Sequence, residues 1–271
     1  MKIGTREFET SGQTYVMGIL NVTPDSFSDG GRYDKLDAAL KHVEEMCDGG
    51  VDVLDIGGES TRPGYTPLPE QQEMDRVLPV IEAVKARFDV PISLDTCKGA
   101  VAEAGIRAGA DLINDIWGLK YDPAMAQVIA RYGVPCCLMH NRKDPDYRML
   151  IPDLCADLEE SLALADEAGI QREKIILDPG VGVGFGKTYE QNLAVIHHLE
   201  ELHCFGLPLL LGTSRKSVIG MTLETPPEER LEGTLVTTVL AVEKGCMFVR
   251  VHDVKENVRA IRMTRAILEA E

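Results

Sequence analysis

Residues 17–31 read MGILNVTPDSFSDGG. The segment opens as an apolar run and breaks at Asn21, after which come polar residues, a proline and a glycine pair. The first half reads as a buried parallel strand and the second as a long exposed loop. The break falls at the C-terminal end of the strand, where α/β folds place their chemistry. The same event recurs along the chain: a short apolar run, then polar side chains at its end.

Working outward, residues 1–15 read as a short polar β-hairpin ahead of the main fold. Strand 15–20 is followed by a helix over 36–47, with Leu36, Leu40, Val43 and Met46 on one face. Gly49 and Gly50 stop it. Strand 51–56 contains Asp55 near its end and precedes the loop GGESTRPGY, 57–65. A helix over 70–88 leads to strand 91–94, which ends in Asp95. Helix 99–108 leads to strand 111–113, ending in Asn114 and Asp115. Helix 123–132 leads to strand 134–139, ending in His140 and Asn141. Helix 153–168 leads to strand 174–177, ending in Asp178. Helix 188–202 leads to strand 207–211 and the run GTSRKS. Helix 228–243, strand 246–250 and helix 254–269 complete the chain.

About eight strand–helix pairs after a hairpin predict a single (β/α)8 TIM barrel over residues 1–271. The strands lack clean alternation, as expected when both faces are buried. An open doubly wound sheet is the rival. The length suits one barrel domain of about 250 residues, and neither a linker nor a low-complexity segment interrupts it.

Composition narrows the function classes. The chain has 271 residues, 44 acidic and 28 basic, for a net charge of −16. That balance argues against non-specific nucleic-acid or anionic-membrane binding. Seven cysteines occur without metal-site spacing, and read as buried free thiols of a reducing, cytoplasmic compartment. The N-terminal residues lack a signal-peptide core, and no apolar run approaches the ~20 residues of a membrane helix.

In a barrel all strand C-termini meet on one rim. Asn21, Asp55, Asp95, Asn114, Asp115, His140, Asp178, Arg250 and His252 are therefore expected to converge. A lone aspartate after a strand also caps helices and starts turns; polar residues at nearly every strand end are more than structure usually needs. Ser214, Arg215, Lys216 and Ser217 follow the seventh strand, and Arg250 and His252 close the eighth. Barrels often bind phosphate at these loops, and Lys and Arg suit phosphate oxygens. The alternative is that they pair with rim carboxylates. Asp and Asn at a pocket floor suit the ring N–H and exocyclic amine of an amino-pyrimidinone edge, as in guanine or pterin.

Familiar motifs fail elsewhere. GVGVGFGKT, 180–188, resembles a phosphate loop, but the required first glycine is Val181. The dinucleotide glycine fingerprint fails in the same stretch. His197, His198 and His203 lie on a predicted helix away from the rim and read as surface residues.

Eight stretches resemble dihydropteroate synthases of the folate pathway: GILNVTPDSFSDGG (18–31), DIGGESTRPG (55–64), SLDTCK (93–98), INDI (113–116), LMH (138–140), LDPG with GFGKT (177–188), TSRKSVIG (213–220) and RVHDV (250–254). The resemblance implies condensation of 4-aminobenzoate with (7,8-dihydropterin-6-yl)methyl diphosphate. It places the pterin on Asp95, Asn114, Asp178 and Lys216. Arg250 would stack on the ring and, with His252, contact the diphosphate; Asn21 would sit beside Mg²⁺. Asp25, Phe27 and Ser28 belong to the first mobile loop, and Thr61, Arg62 and Pro63 to the second. Together the loops form the aminobenzoate site, where sulfonamides bind in this family. Met139, Phe185, Ser214 and Val251 complete the substrate-binding set, and the family implies a homodimer through the C-terminal helices. DPGVGVGFGKT is two residues longer than the usual DPG-x-GFGKT, which leaves open whether Val183 or Phe185 touches the pterin. Trp117 walls the pocket or packs a helix start.

Two rivals share parts of this pattern. A methyltetrahydrofolate:corrinoid methyltransferase-like barrel would not need the SRKS and RVHD cluster. A non-catalytic pterin-binding protein would be expected to lose Asn21, Lys216, Arg250 or His252, and all four are present.

Overall fold

The computed structural model describes residues 1–22, 32–59 and 67–270. The expectations for Asp25, Phe27, Ser28, Thr61, Arg62 and Pro63 lie outside the described residues.

Strands β1 (Lys2–Ile3) and β2 (Arg6–Glu7) form an antiparallel hairpin, as expected. The eight barrel strands follow: β3 (Tyr15–Asn21), β4 (Val53–Gly57), β5 (Ile92–Asp95), β6 (Leu112–Asp115), β7 (Cys136–Met139), β8 (Ile175–Asp178), β9 (Leu210–Leu211) and β10 (Phe248–Val251). All pair in parallel, in the order β8-β7-β6-β5-β4-β3-β10-β9. An isolated parallel bridge, Leu177 to Leu209, joins β8 to the run leading into β9 and closes the ring. The open-sheet rival is thereby excluded.

The helices are α1 (Arg32–Gly49), α2 (Glu70–Arg87), α3 (Gly99–Ala108), α4 (Ala124–Tyr132), α5 (Leu150–Ala168), α6 (Tyr189–His197), α7 (Ser217–Leu223), α8 (Leu231–Glu243) and α9 (Val254–Leu268). They pack an aliphatic layer against the outside of the barrel, with Leu40, Val43, Val77, Ile81, Ile129 and Leu158 among its members. Burying each such side chain stabilises by about 1.5–3 kcal/mol relative to exposure. Inside the barrel, Met17, Val53, Leu112, Cys137, Ile176, Leu210 and Phe248 form a second cluster. Ile3 and Phe8 from the hairpin region join it. The N-terminal residues thus fill one end of the barrel, and the chemistry is left to the other.

Several boundaries differ from expectation. The helix expected over 188–202 ends at His197 and continues as a 3₁₀ segment, Leu199–Phe205. Strand 207–211 shrinks to two residues. Helix α7 was not anticipated, because the SRKS run hides its start. The thiol expectation also needs correcting. Cys97, Cys136, Cys137 and Cys246 are buried, but Cys47 and Cys155 are half-buried and Cys204 is exposed. His197 and His203 are exposed, as expected, and His198 partly so.

Candidate active site

The ladder register sets the site. Asp55 pairs with Ser93, Asp95 with Asn114, and Met139 with Asp178. Arg250 reaches across the barrel mouth, donating from Nε to Asp55 Oδ2 at 2.5 Å and from Nη2 to Asp95 Oδ2 at 2.7 Å. Asp55 also accepts from Ser93 Oγ at 2.5 Å and from Asn114 Nδ2 at 3.3 Å. It is fully buried and occupied on both oxygens. Asp55 is thus the anchor for Arg250, a role the sequence reading did not assign to it.

Asp178 closes the ring. Its Oδ1 accepts from Gly180 N at 2.7 Å. A Cβ built on Gly212 would lie 3.7 Å from Asp178 Oδ2 and 3.8 Å from both Lys216 Nζ and Arg250 Cβ. The bare glycine therefore leaves space between the three groups. Lys216 Nζ donates to Val181 O at 2.5 Å and lies 5.2 Å from the centroid of the Phe185 ring. Phe185 and Trp117 pack against Cys97, Ile116 and Met139, an apolar wall beside the polar floor. The longer loop therefore brings Phe185 to the mouth. Trp117 stands in that wall, and its buried Nε1 has no hydrogen-bond partner among the described residues.

Electrostatics follow from burial. Desolvation pushes the Asp95 carboxyl up to about 7, against the pull of Arg250. Desolvation also raises Asp178, opposed chiefly by Lys216. Burial lowers Lys216 to about 8, with Asp178 holding its charge and Arg250 repelling it. Perturbed titrations gathered at a barrel mouth mark a functional site.

Some rim residues do not join this group. Asp115 turns to the backbone, accepting from Trp117 N at 2.9 Å and Leu119 N at 2.7 Å, and caps that turn. His140 faces α5 and holds Asp157 at 2.7 Å. Arg215 does not serve as a free cation: it forks onto Asp253 at 3.0 and 2.5 Å. Arg230 Nη1 donates to Arg215 O at 2.9 Å, so the turn is held with Arg215 at φ 56°. That turn sends Lys216 inward. The carboxylate-pairing alternative thus holds for Arg215 and the site alternative for Lys216. Ser214 Oγ meets His252 Nδ1 at 3.1 Å and accepts from His252 N at 3.1 Å. Val251 packs in the aliphatic layer between strands and helices, so its side chain is not brought to the mouth. Asn21 ends β3, in register with Gly57.

The sequence reading missed the buried cluster of Lys98, Glu59 and Glu73. Lys98 binds both carboxylates, that of Glu73 at 2.5 Å. Glu59 also accepts from Leu68 N at 3.0 Å, and Arg76 donates to Gly58 O at 2.8 Å. Both flanks of segment 60–66 are therefore tied to the barrel. The signal was Lys98, three residues beyond Asp95.

The pterin binding enzyme family matches residues 17–252. The chain belongs to the pterin-binding enzyme family. Within that family it is 57% identical to the dihydropteroate synthase of Clostridium beijerinckii, over 99% of each chain. A crystal structure of dihydropteroate synthase from Clostridium difficile in the presence of pteroic acid superposes with a TM-score of 0.94 and 49% identity, covering 97% of this chain and 100% of the other. Dihydropteroate synthase from Xanthomonas albilineans with 4-aminobenzoic acid gives a TM-score of 0.91 and 41% identity, covering 96% and 94%.

One expectation tests the loop after Asp178. Gly180 has φ 69°, and an added Cβ would lie 2.0 Å from His140 O. A non-glycine residue in the left-handed region costs about 1–2 kcal/mol before any clash. Gly169 has φ 83° and nothing within 4 Å of the same atom. Gly180→Ala is expected to lower the denaturant midpoint well beyond Gly169→Ala and to abolish pterin binding. Equal midpoints would refute the close approach.

Proposed function

We propose that the chain condenses (7,8-dihydropterin-6-yl)methyl diphosphate with 4-aminobenzoate to give 7,8-dihydropteroate and pyrophosphate. The observation that carries this reading is the ring at the barrel mouth, with Asp95, Asn114 and Asp178 buried and Lys216 and Arg250 half-buried. Asp178 accepts from the ring N–H and exocyclic amine of the pterin, while Asp95 and Asn114 complete its polar edge. Phe185 and Met139 supply an apolar wall. Lys216 and Arg250 hold oxygen-rich parts of the substrate, and His252 with Ser214 extends that cationic edge toward the diphosphate.

The methylene C–O bond breaks with its electron pair leaving on the diphosphate. The positive charge spreads over the pterin, which the ionised Asp178 and Asp95 favour. The arylamine nitrogen then bonds to the methylene and releases a proton. Arylamines are nucleophilic near neutral pH, so this scheme uses neither a covalent enzyme intermediate nor a strong base.

We propose Mg²⁺ at Asn21. The fit is chemical: the Asn21 side-chain carbonyl is a hard oxygen donor at the end of β3. Mg²⁺ commonly needs few protein ligands beside substrate phosphates and water. When bound, it would neutralise charge on the leaving diphosphate. We also propose a homodimer, supported by exposed Val236 on α8 and Met263 and Ile267 on α9. Sedimentation over a range of concentrations should show it; a monomer throughout would refute it. No helix among the described residues is long and apolar enough to cross a membrane. A cytoplasmic setting fits the free thiols.

The direct test supplies the pterin diphosphate and Mg²⁺ with and without 4-aminobenzoate. Pyrophosphate and dihydropteroate should appear together only in the full mixture. Pterin binding without turnover would overturn the reading. The pH dependence adds a second check. As pH falls through about 7, Asp95 gains a proton and loses an acceptor. As pH rises through about 8, Lys216 loses its charge. The kcat/KM for the pterin substrate should therefore be bell-shaped, with limbs belonging to the interacting cluster. Lys216→Met should remove the alkaline limb; an unchanged profile would exclude Lys216 as its source.

A further inference from the structure

The loop between β8 and α6 has four glycines at positive φ: Gly180, Gly182, Gly184 and Gly186. Such a segment has many accessible conformations, and ordering it costs entropy. Lys187, only 4% exposed, holds it from beneath. An ammonium has three donors and no acceptor. Here its acceptors are His140 Nδ1 at 2.7 Å, Gly180 O at 3.1 Å and Phe185 O at 3.4 Å. Asp157 is held ionised by His140 and Arg142, so it can only accept, and the neutral imidazole is left with Nδ1 as its acceptor. His140 Nε2 then carries the proton and donates to Asp157 Oδ2 at 2.7 Å. Arg142 binds the same carboxylate through Nε and, at 3.0 Å, through Nη2. A continuous chain of contacts thus runs from Asp157 on α5, through His140, to both ends of the glycine loop.

The loop in turn controls two groups of the site. Gly180 N holds Asp178 Oδ1, and His140 N donates to Asp178 O at 2.8 Å. Phe185, whose carbonyl Lys187 binds, places its ring beside Lys216. The far end is fixed by the Thr188 and Gln191 capping box of α6. Lys187 and His140 are both buried, and Lys187 spends its hydrogen bonds on His140 and the loop backbone.

We propose that Lys187, locked by His140 and Asp157, is a positioning residue for the pterin half of the site: it fixes the loop that aims Asp178 and sets Phe185 beside Lys216. The inference rests on the pterin reading given above. Burial works against the Lys187 charge and lowers its pKa to about 7, while Asp178 and Asp157 support the charge and Lys216 and Arg142 oppose it. His140 is held neutral, lowered to about 4 by burial against the pull of Asp157. The imidazole is therefore neutral, and its Nδ1 accepts from Lys187, which can donate whether or not it carries the third proton.

Lys187→Met keeps much of the volume and removes every donor. Its affinity for 6-carboxypterin, read by calorimetry, is expected to fall by about tenfold or more, the effect of losing buried charge-assisted hydrogen bonds. The KM for 4-aminobenzoate should stay within about twofold, because uniform damage is not expected from a loop on the pterin side. A second pair of variants covers the case in which Lys187→Met fails to fold. His140→Asn keeps an acceptor near the Nδ1 position and should retain more pterin affinity than His140→Ala. Lys187→Met with wild-type pterin affinity and only a lower Tm would overturn the proposal, as would equal losses for both substrates. Equal pterin affinities for His140→Asn and His140→Ala would overturn it too. Failure of the wild-type protein to bind 6-carboxypterin would instead overturn the pterin reading itself.

Discussion

Replacing Arg250 by methionine is expected to remove synthase activity and to destabilise the barrel, the second effect growing with pH. The guanidinium is the shared partner of two buried carboxylates, Asp55 and Asp95, which are 0% and 9% exposed. Removing one partner of a buried ion pair leaves an uncompensated charge and costs about 3–5 kcal/mol. Ser93 and Asn114 still reach Asp55. Asp95 loses the charge that opposes its desolvation. Its folded-state pKa, already raised from 3.8 to about 7, rises further. For a carboxyl raised on folding, the folded state binds the proton more tightly. Its stabilising contribution is therefore full below the unfolded pKa and is lost as pH climbs through the folded one. In the variant that loss extends to higher pH. Urea midpoints should thus show a deficit near pH 5 that widens toward pH 8, the widening being on the scale of about 1.4 kcal/mol per unit of pKa. Equal deficits at both would refute the Asp95 assignment. Activity should fall by about 10³-fold in kcat/KM through loss of a preorganised cationic donor.

Asp178→Asn should separate activity from stability. Burial raises the Asp178 carboxyl, so its ionised form is a burden on the unliganded fold. An asparagine can still accept from Gly180 N through Oδ1, while its amide faces the pterin donors that the carboxylate would have bound. A site built to accept two N–H bonds then meets a donor, and mismatches of that kind cost about 10³-fold or more. The kcat/KM is expected to fall by that factor, while Tm stays level or rises by a few degrees, as is common where a binding site is kept at the expense of stability. Scanning calorimetry beside the product assay decides it. A Tm loss as large as that of Arg250→Met would mean that Asp178 is structural.

These opposite expectations arise from contacts that the chain order does not reveal. Arg250 and Asp178 each follow an apolar run, and both were assigned to the site on that ground. Their difference lies in partners: Arg250 is paired with two protein carboxylates. Asp178 receives one backbone amide and otherwise faces Lys216 and the open space over Gly212. The same limit applies to Arg215 and Lys216, adjacent residues of which one forks onto Asp253 and the other turns inward. A left-handed backbone at Arg215 makes that division, and it is set by Arg230, fifteen residues onward.

The amino-acid order alone determined the alternation of strands and helices, the parallel α/β class, the position of the chemistry at strand C-termini and the family, while ring closure through Leu177 and Leu209 came from the tertiary structure. Aliphatic strands buried on both faces, separated by helix-length amphipathic runs, have few other ways to hide their surface. The tertiary structure decided which rim residues face the mouth. Asn114 points inward, while its neighbour Asp115 caps a turn; Asp55 joins the interior, while His140 turns toward α5. A strand apolar on both sides carries no alternation from which parity can be read. Barrel register supplied that parity, together with the long-range pairing of Lys187, His140 and Asp157, because it joins residues that the chain keeps far apart.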